Sequence, residues 1–96
     1  MIERTLLVQT RLGLHARAAA KLVRVASAFK SNVLLSRLDG SASADAKSIL
    51  NVLMLAASQG TQLKASIEGA DEDAAMNAII QLFAEGFGEI APESSL

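Results

Sequence analysis

The stretch TQLKASIEG, residues 61–69, alternates Leu63, Ala65 and Ile67 with Gln62, Lys64, Ser66 and Glu68. A period of two sends the apolar side chains to one face of a strand and the polar ones to the other. Such a strand belongs in a sheet with one wet face and one dry face, and the dry face must be covered. This requirement shapes the reading of every other segment.

Covering segments are present. From residue 16 the apolar set Ala16, Ala19, Ala20, Val23, Ala26 and Phe29 follows helical spacing, while Arg17, Lys21 and Arg24 share another face. The pattern predicts an amphipathic helix. AKSILNVLMLAASQG predicts a second, with Ser48 as N-cap and Gly60 as stop. ADEDAAMNAIIQLFAEG predicts a third. Its first turn carries Asp71, Glu72 and Asp73, suited to the positive end of a helix dipole. Its stripe is Ala75, Met76, Ile79, Ile80 and Phe83, and Gly86 ends it.

The remaining strands are IERTLLVQT, with Gln9, Arg11 and Gly13 in its exit loop, and a hairpin in SNVLLSRLDGSAS turning at Asp39-Gly40. The order is β-α-β-β-α-β-α, which suits a mainly antiparallel sheet with helices on one face. FGEIAPESSL, with Gly88 and Pro92, reads as a frayed tail. Residues 1–88 are expected to form one domain and 89–96 the tail.

A chain of 96 residues buries roughly 60–65% of its unfolded surface, enough for one modest core. There is no cysteine, so disulfides and cysteine-ligated metals are excluded. With 9 basic and 10 acidic side chains and only three aromatics, all Phe, the chain does not read as a nucleic-acid binder. Glu3 and Arg4 interrupt any export signal, and no apolar run suffices for membrane insertion. The expectation is a cytoplasmic protein.

The only histidine, His15, stands at the predicted mouth of the first helix. Four backbone N–H groups at a helix start lack intrahelical partners, and the dipole adds partial positive charge, so the mouth suits an anion. A neutral imidazole there offers a lone pair to a phosphoryl group, Arg17 offers bidentate donors, and Gly13 permits close backbone approach. The amides of Ala16, Arg17 and Ala18 would line the mouth. A lone histidine near a helix start is nonetheless most often a surface residue. One His without Cys makes no metal site. A triad with Ser48 or Asp45 has no nucleophile-elbow pattern behind it.

LGLHARAAAKLV resembles the active-site segment of the HPr family, the histidine-containing phosphocarriers of the bacterial phosphoenolpyruvate-dependent phosphotransferase system. AKSILNVLML resembles the family's second signature, a serine after a lysine opening a short helix. AASQGTQLKASIEGADEDAAMNAIIQLF resembles its last strand and helix, so the likeness runs over about residues 2 to 87. It implies an α+β open-faced β-sandwich, a four-stranded mainly antiparallel sheet with three helices on one face. His15 matches the phosphorylated histidine, which carries its phosphoryl group on Nδ1, and Arg17 matches the accompanying arginine. Ser48 matches a serine phosphorylated by a dedicated kinase in some bacteria. The chain departs from the family at Ala18, where a proline is usual.

Residues 49, 50 and 53 follow Ser48 at helical spacing and are either all core or partly a surface patch. The resemblance makes Ile49, Leu50 and Leu53 an apolar patch beside the histidine, with Arg17, Lys21 and Arg24 as a basic rim for acidic partners. It implies enzyme I upstream, enzyme IIA domains downstream and an HPr kinase/phosphorylase for Ser48. A carrier that must bind successive partners is expected to be a monomer, and it needs no cofactor or metal of its own. The alternative is a regulatory binding module that signals through the state of His15 or Ser48, in the sugar or the nitrogen-related branch.

Overall fold

A computed structural model describes residues 1–88. The elements are β1 (Ile2–Leu7), α1 (Ala16–Ser27), β2 (Asn32–Arg37), β3 (Ser43–Asp45), α2 (Ile49–Met54), β4 (Gln62–Glu68) and α3 (Glu72–Ala84). A short 3-10 turn, Gly86–Gly88, follows. The strands form one sheet in the order β1-β4-β2-β3, and every pairing is antiparallel.

The alternation in β4 sets the register. Leu63 pairs with Leu6 on one side, and Ala65 and Ile67 pair with Leu35 and Val33 on the other. All of these face the same dry side and are buried, whereas Thr5, Leu34 and Lys64 are exposed on the wet side. A one-residue slip would turn the whole apolar set into water, so the pattern fixes the pairing.

Helices α1 and α3 bury Ala18, Ala19, Leu22 and Ala26, and Ala75, Met76, Ile79 and Phe83, in one core with the sheet. Leu22 is fully buried and Val23 only partly, which corrects the expected stripe of α1. The small alanines let the helix backbone lie close over the strands, and the leucine supplies the volume. Truncating Leu22 would cost about 2–5 kcal/mol by the usual measure for such a site.

The hairpin turns where expected. The Gly40 N–H donates to the Arg37 carbonyl at 3.0 Å, and Asp39 Oδ1 accepts the Ser41 N–H at 2.8 Å. Helix α2, in contrast, does not run to Gly60. It ends at Met54, and Ala56 follows with φ of 51°. Phe87, expected to open the tail, is buried and meets Phe83 edge-on with centroids 5.0 Å apart. The expected frayed tail, 89–96, lies outside the described residues.

Asp71 is the N-cap of α3 but makes no side-chain bond to its own helix. Its carboxylate instead accepts the N–H groups of Lys30 and Ser31, each at 2.9 Å, and the Ser31 hydroxyl. The clasp joins the α1–β2 junction to the start of α3.

Candidate functional site

Chain exit from β1 is stapled by main-chain bonds. The Val8 N–H donates to the Thr61 carbonyl at 2.9 Å, and the Gly60 N–H donates to Val8 at 2.8 Å. A turn follows, closed by the Gly13 N–H on the Thr10 carbonyl at 3.0 Å. Thr10 is buried at one end of this turn and Gly13 at the other, so the two central residues, Arg11 and Leu12, project outward.

Gly13 has φ of 69°, and a Cβ placed there would sit 2.5 Å from the Ala57 carbonyl oxygen. The close approach that the sequence suggests is therefore made to the loop after α2. The next residue confirms the latch: the Leu14 N–H donates to that same Ala57 carbonyl at 2.9 Å. Leu14 is buried, and the chain emerges at His15 with its entry to α1 already aimed.

His15 is the N-cap of α1, with extended backbone angles, and its carbonyl accepts the Ala19 N–H at 2.8 Å. Its Nδ1 accepts the backbone N–H of Arg17 at 3.3 Å. A backbone amide can only donate, so this contact places the lone pair on Nδ1 and the neutral imidazole's proton on Nε2. The bond is long enough to be given up readily when a better acceptor arrives. His15 is half-buried, at the edge of a shallow depression of about 210 Å³ lined also by Leu12, Leu14, Ala56, Ala57 and Ser58.

Of the three amides expected at the mouth, that of Arg17 thus faces Nδ1 of the histidine. The Arg17 side chain is exposed beside it, and Ala16 is exposed in the same first turn. Ala18 is the third helical residue and is wholly buried. It still lies in the first turn, where an N–H has no intrahelical acceptor, so alanine in place of proline adds a donor without breaking a helical bond.

The other expected residues divide into two groups. Ser48 caps α2, its Oγ accepting the Asn51 N–H at 3.4 Å. Beyond it Ile49, Leu50 and Leu53 are exposed, Leu50 to 65%, while Val52 and Leu55 face the core. Ala56, just past the helix, is exposed in a left-handed turn. Sequence reasoning missed Met54, 75% exposed, and Leu12, 67% exposed. An exposed leucine or methionine follows no period, so no pattern marks it in advance.

On the basic side, Lys21 is half-buried and its Nζ donates to the Phe87 carbonyl at 2.7 Å. Arg24 is exposed in the last turn of α1, nine residues past His15 or roughly 13 Å along the axis. Arg17 is the only one of these three cations at the mouth. Among the described residues no three His, Cys, Asp or Glu side chains come together as metal ligands. No helix there is long and apolar enough to cross a membrane.

The family model described as PTS HPr component phosphorylation site matches residues 2–85. The chain belongs to the HPr family. The phosphocarrier protein HPr of Xylella fastidiosa is 49% identical over 89 residues, covering 93% of this chain and 98% of the relative. The phosphocarrier protein NPr of Proteus mirabilis is 41% identical over 86 residues, covering 90% of this chain and 94% of the relative. Among solved structures, an HPr from Thermoanaerobacter tengcongensis superposes with a TM-score of 0.88 at 38% identity, covering 95% of this chain and all of the other. The HPr fold expected from the sequence, an open antiparallel sheet of four strands with three helices, is the fold observed. The protein is an HPr-type phosphocarrier of the phosphotransferase system.

Proposed function

We propose that this HPr accepts a phosphoryl group on His15 from phosphorylated enzyme I and passes it to an enzyme IIA-type acceptor. One observation carries the reading: His15 caps a helix with Nδ1 turned to the Arg17 amide, so the lone pair that must attack phosphorus already sits among anion-binding donors. The proton rests on Nε2, and no general base is needed to free the nucleophile.

Transfer then balances simply. The Nδ1 lone pair forms a bond to phosphorus as the phosphorus–nitrogen bond of the donor's phosphohistidine breaks and its electron pair returns to the donor imidazole. The Arg17 amide, released from Nδ1, and the Arg17 guanidinium take up phosphoryl oxygens. Charge is spread over those oxygens throughout, so positioning and electrostatic stabilisation supply most of the acceleration. Onward transfer reverses the roles of attacking and leaving nitrogen. The half-exposed site lets two proteins use it in turn, and the exposed face of α2 gives both an apolar surface to dock on.

The test is incubation with phosphoenolpyruvate, magnesium and enzyme I, read by intact mass. The wild-type chain is expected to gain one acid-labile phosphate, and His15→Ala to gain none. Failure of the wild type to gain phosphate sinks the carrier reading and leaves the regulatory binding module.

Ser48 supports a second use of the same surface. Its hydroxyl lies at the start of α2, directly before the exposed Ile49 and Leu50. Phosphate there adds close to two negative charges to a face that meets acidic partners, without disturbing the core. A Ser48 kinase would therefore throttle docking rather than unfold the carrier.

A further inference from the structure

We infer that Met54 is an oxidation site: peroxide converts its thioether to the sulfoxide, and the polar group then standing in the apolar face of α2 weakens docking of the phosphoryl donor. The inference rests on the phosphocarrier reading above and adds to it a chemical input other than phosphate.

The chain has three methionines and no cysteine. Methionine is therefore the side chain through which peroxide acts on it most readily. The fold gives the three different surroundings. Met76 lies in the core at 2% exposure. Met1 is exposed, with its ammonium 3.5 Å from Glu72, at the end of β1 away from the exit toward His15. Met54 closes α2 and is 75% exposed.

Its position gives this exposure a consequence. At about 100° per residue, the exposed apolar residues of α2 follow one another around the helix as Ile49, Leu53, Leu50 and Met54. Leu50 stands one turn before Met54, and a long helical side chain leans back over the preceding turn, so the thioether and Leu50 share one strip of surface. Two residues beyond Met54, Ala56 lines the depression that holds His15. Met54 is thus the last member of the docking face before the chain reaches the wall of the phosphoryl site.

The step balances with hydrogen peroxide as oxidant. A sulfur lone pair attacks one peroxide oxygen, an S–O bond forms as the O–O bond breaks, and the departing hydroxide takes the remaining proton and leaves as water. Sulfur loses two electrons, and a thiol-driven reductase returns them with two protons, releasing water and the thioether. Because the Met54 side chain stands in water, the oxygen costs the fold little. A partner that covers this face must strip that oxygen of water, which is costly without a donor to meet it.

The experiment treats the full chain with graded hydrogen peroxide, removes the excess with catalase and locates the added oxygens by peptide mass mapping. Transfer from phosphorylated enzyme I is then measured against chain concentration for wild type, Met54→Leu and Met54→Gln. Met54 is expected to take oxygen well before Met76. Oxidised wild type is expected to show KM raised roughly three- to tenfold with kcat and the denaturation midpoint retained, and methionine sulfoxide reductase with dithiothreitol to restore the KM. Met54→Leu is expected to have the same KM before and after peroxide, although its Met1 is oxidised. Met54→Gln is expected to show a raised KM without any peroxide. An unchanged KM in wild type whose Met54 is fully oxidised overturns the inference. So does an equal rise in oxidised Met54→Leu, or a lowered midpoint that assigns the effect to the fold. Untreated wild type that takes phosphate keeps the carrier reading whatever peroxide does to it, and one that takes none removes both.

Discussion

Helices α1 and α2 open in the same way and are built for opposite purposes. Each has a side-chain cap that accepts a backbone N–H from its own first turn, His15 from Arg17 at 3.3 Å and Ser48 from Asn51 at 3.4 Å. Past the caps they diverge. Helix α1 runs for 12 residues, four of them buried, over the sheet, so its mouth is fixed by the core. Helix α2 has six residues and buries only Val52, leaving its apolar side chains in water. A helix that anchors chemistry needs depth behind its mouth. A helix that offers a face to other proteins needs only enough core contact to stay in place.

The contrast breaks most severely at Gly13, which joins the two helices through the Ala57 carbonyl. Gly13→Ala forces an L residue into the left-handed region and drives its Cβ against that oxygen. The expected loss is on the order of 2–3 kcal/mol in chemical denaturation, with slower phosphorylation of His15. A variant as stable and as fast as wild type would show that the latch does not aim the histidine.

Ser48 sharpens it next. Ser48→Ala is expected to lose about 1 kcal/mol from the missing cap while still accepting phosphate at nearly the wild-type rate. Ser48→Asp keeps a capping oxygen and adds charge, so it should be the more stable of the two and the slower acceptor from enzyme I. Stopped-flow or quenched transfer assays beside denaturation curves check both halves. Equal rates for Ser48→Asp and wild type would remove the docking role of this end of α2.

A smaller effect, of opposite sign, is expected at Ala56. It occupies the left-handed position after the C-cap Leu55, where glycine carries no penalty. Ala56→Gly relieves that strain while loosening the unfolded chain, so the net gain is at most ~1 kcal/mol. The thermal midpoint is the measurement, and a lower midpoint would contradict it.

The gentlest perturbation is acid, and it reads the third helix mouth. Hydrogen bonds from Ser31 and Lys30 hold the Asp71 carboxyl below its ordinary 3.8, at about 2. A depressed native value means that the folded form favours the ionised state. Its contribution to stability is therefore complete above about pH 4 and is lost as pH falls toward 2. Asp71→Asn is expected to lack that part of the acid-induced decline when denaturation is compared between pH 5 and 2.

How much of this could be read from the sequence follows from how local each determinant is. The strand β4, the hairpin at Asp39-Gly40, the place of His15 at the mouth of α1, the Ser48 cap and the stripe of α3 all rest on neighbours in the chain, and all are found in place. The end of α2 was not legible. Leu55, Ala56 and Ala57 are good helix formers, yet the chain leaves the helix and the Ala57 carbonyl bonds Leu14, more than forty residues away in sequence. The burial of Leu22 rather than Val23 was hidden by alanines, which suit either side of a helix. Phe87 looked like tail because its glycine neighbours read as breakers, whereas Phe83 and Lys21 hold it against the body. The exposure of Leu12 breaks no local rule and follows none.

The latch at Ala57 has a consequence for how such a carrier can change over time. Both of its partners are main-chain atoms, the Leu14 amide and the Ala57 carbonyl, so neither side chain writes the bond. Replacing residue 57 with another small apolar residue leaves the aim of His15 intact, whereas position 13 tolerates no Cβ at all. The loops around the histidine can therefore be rewritten to suit new partners while the phosphoryl group is still received at the same point in space.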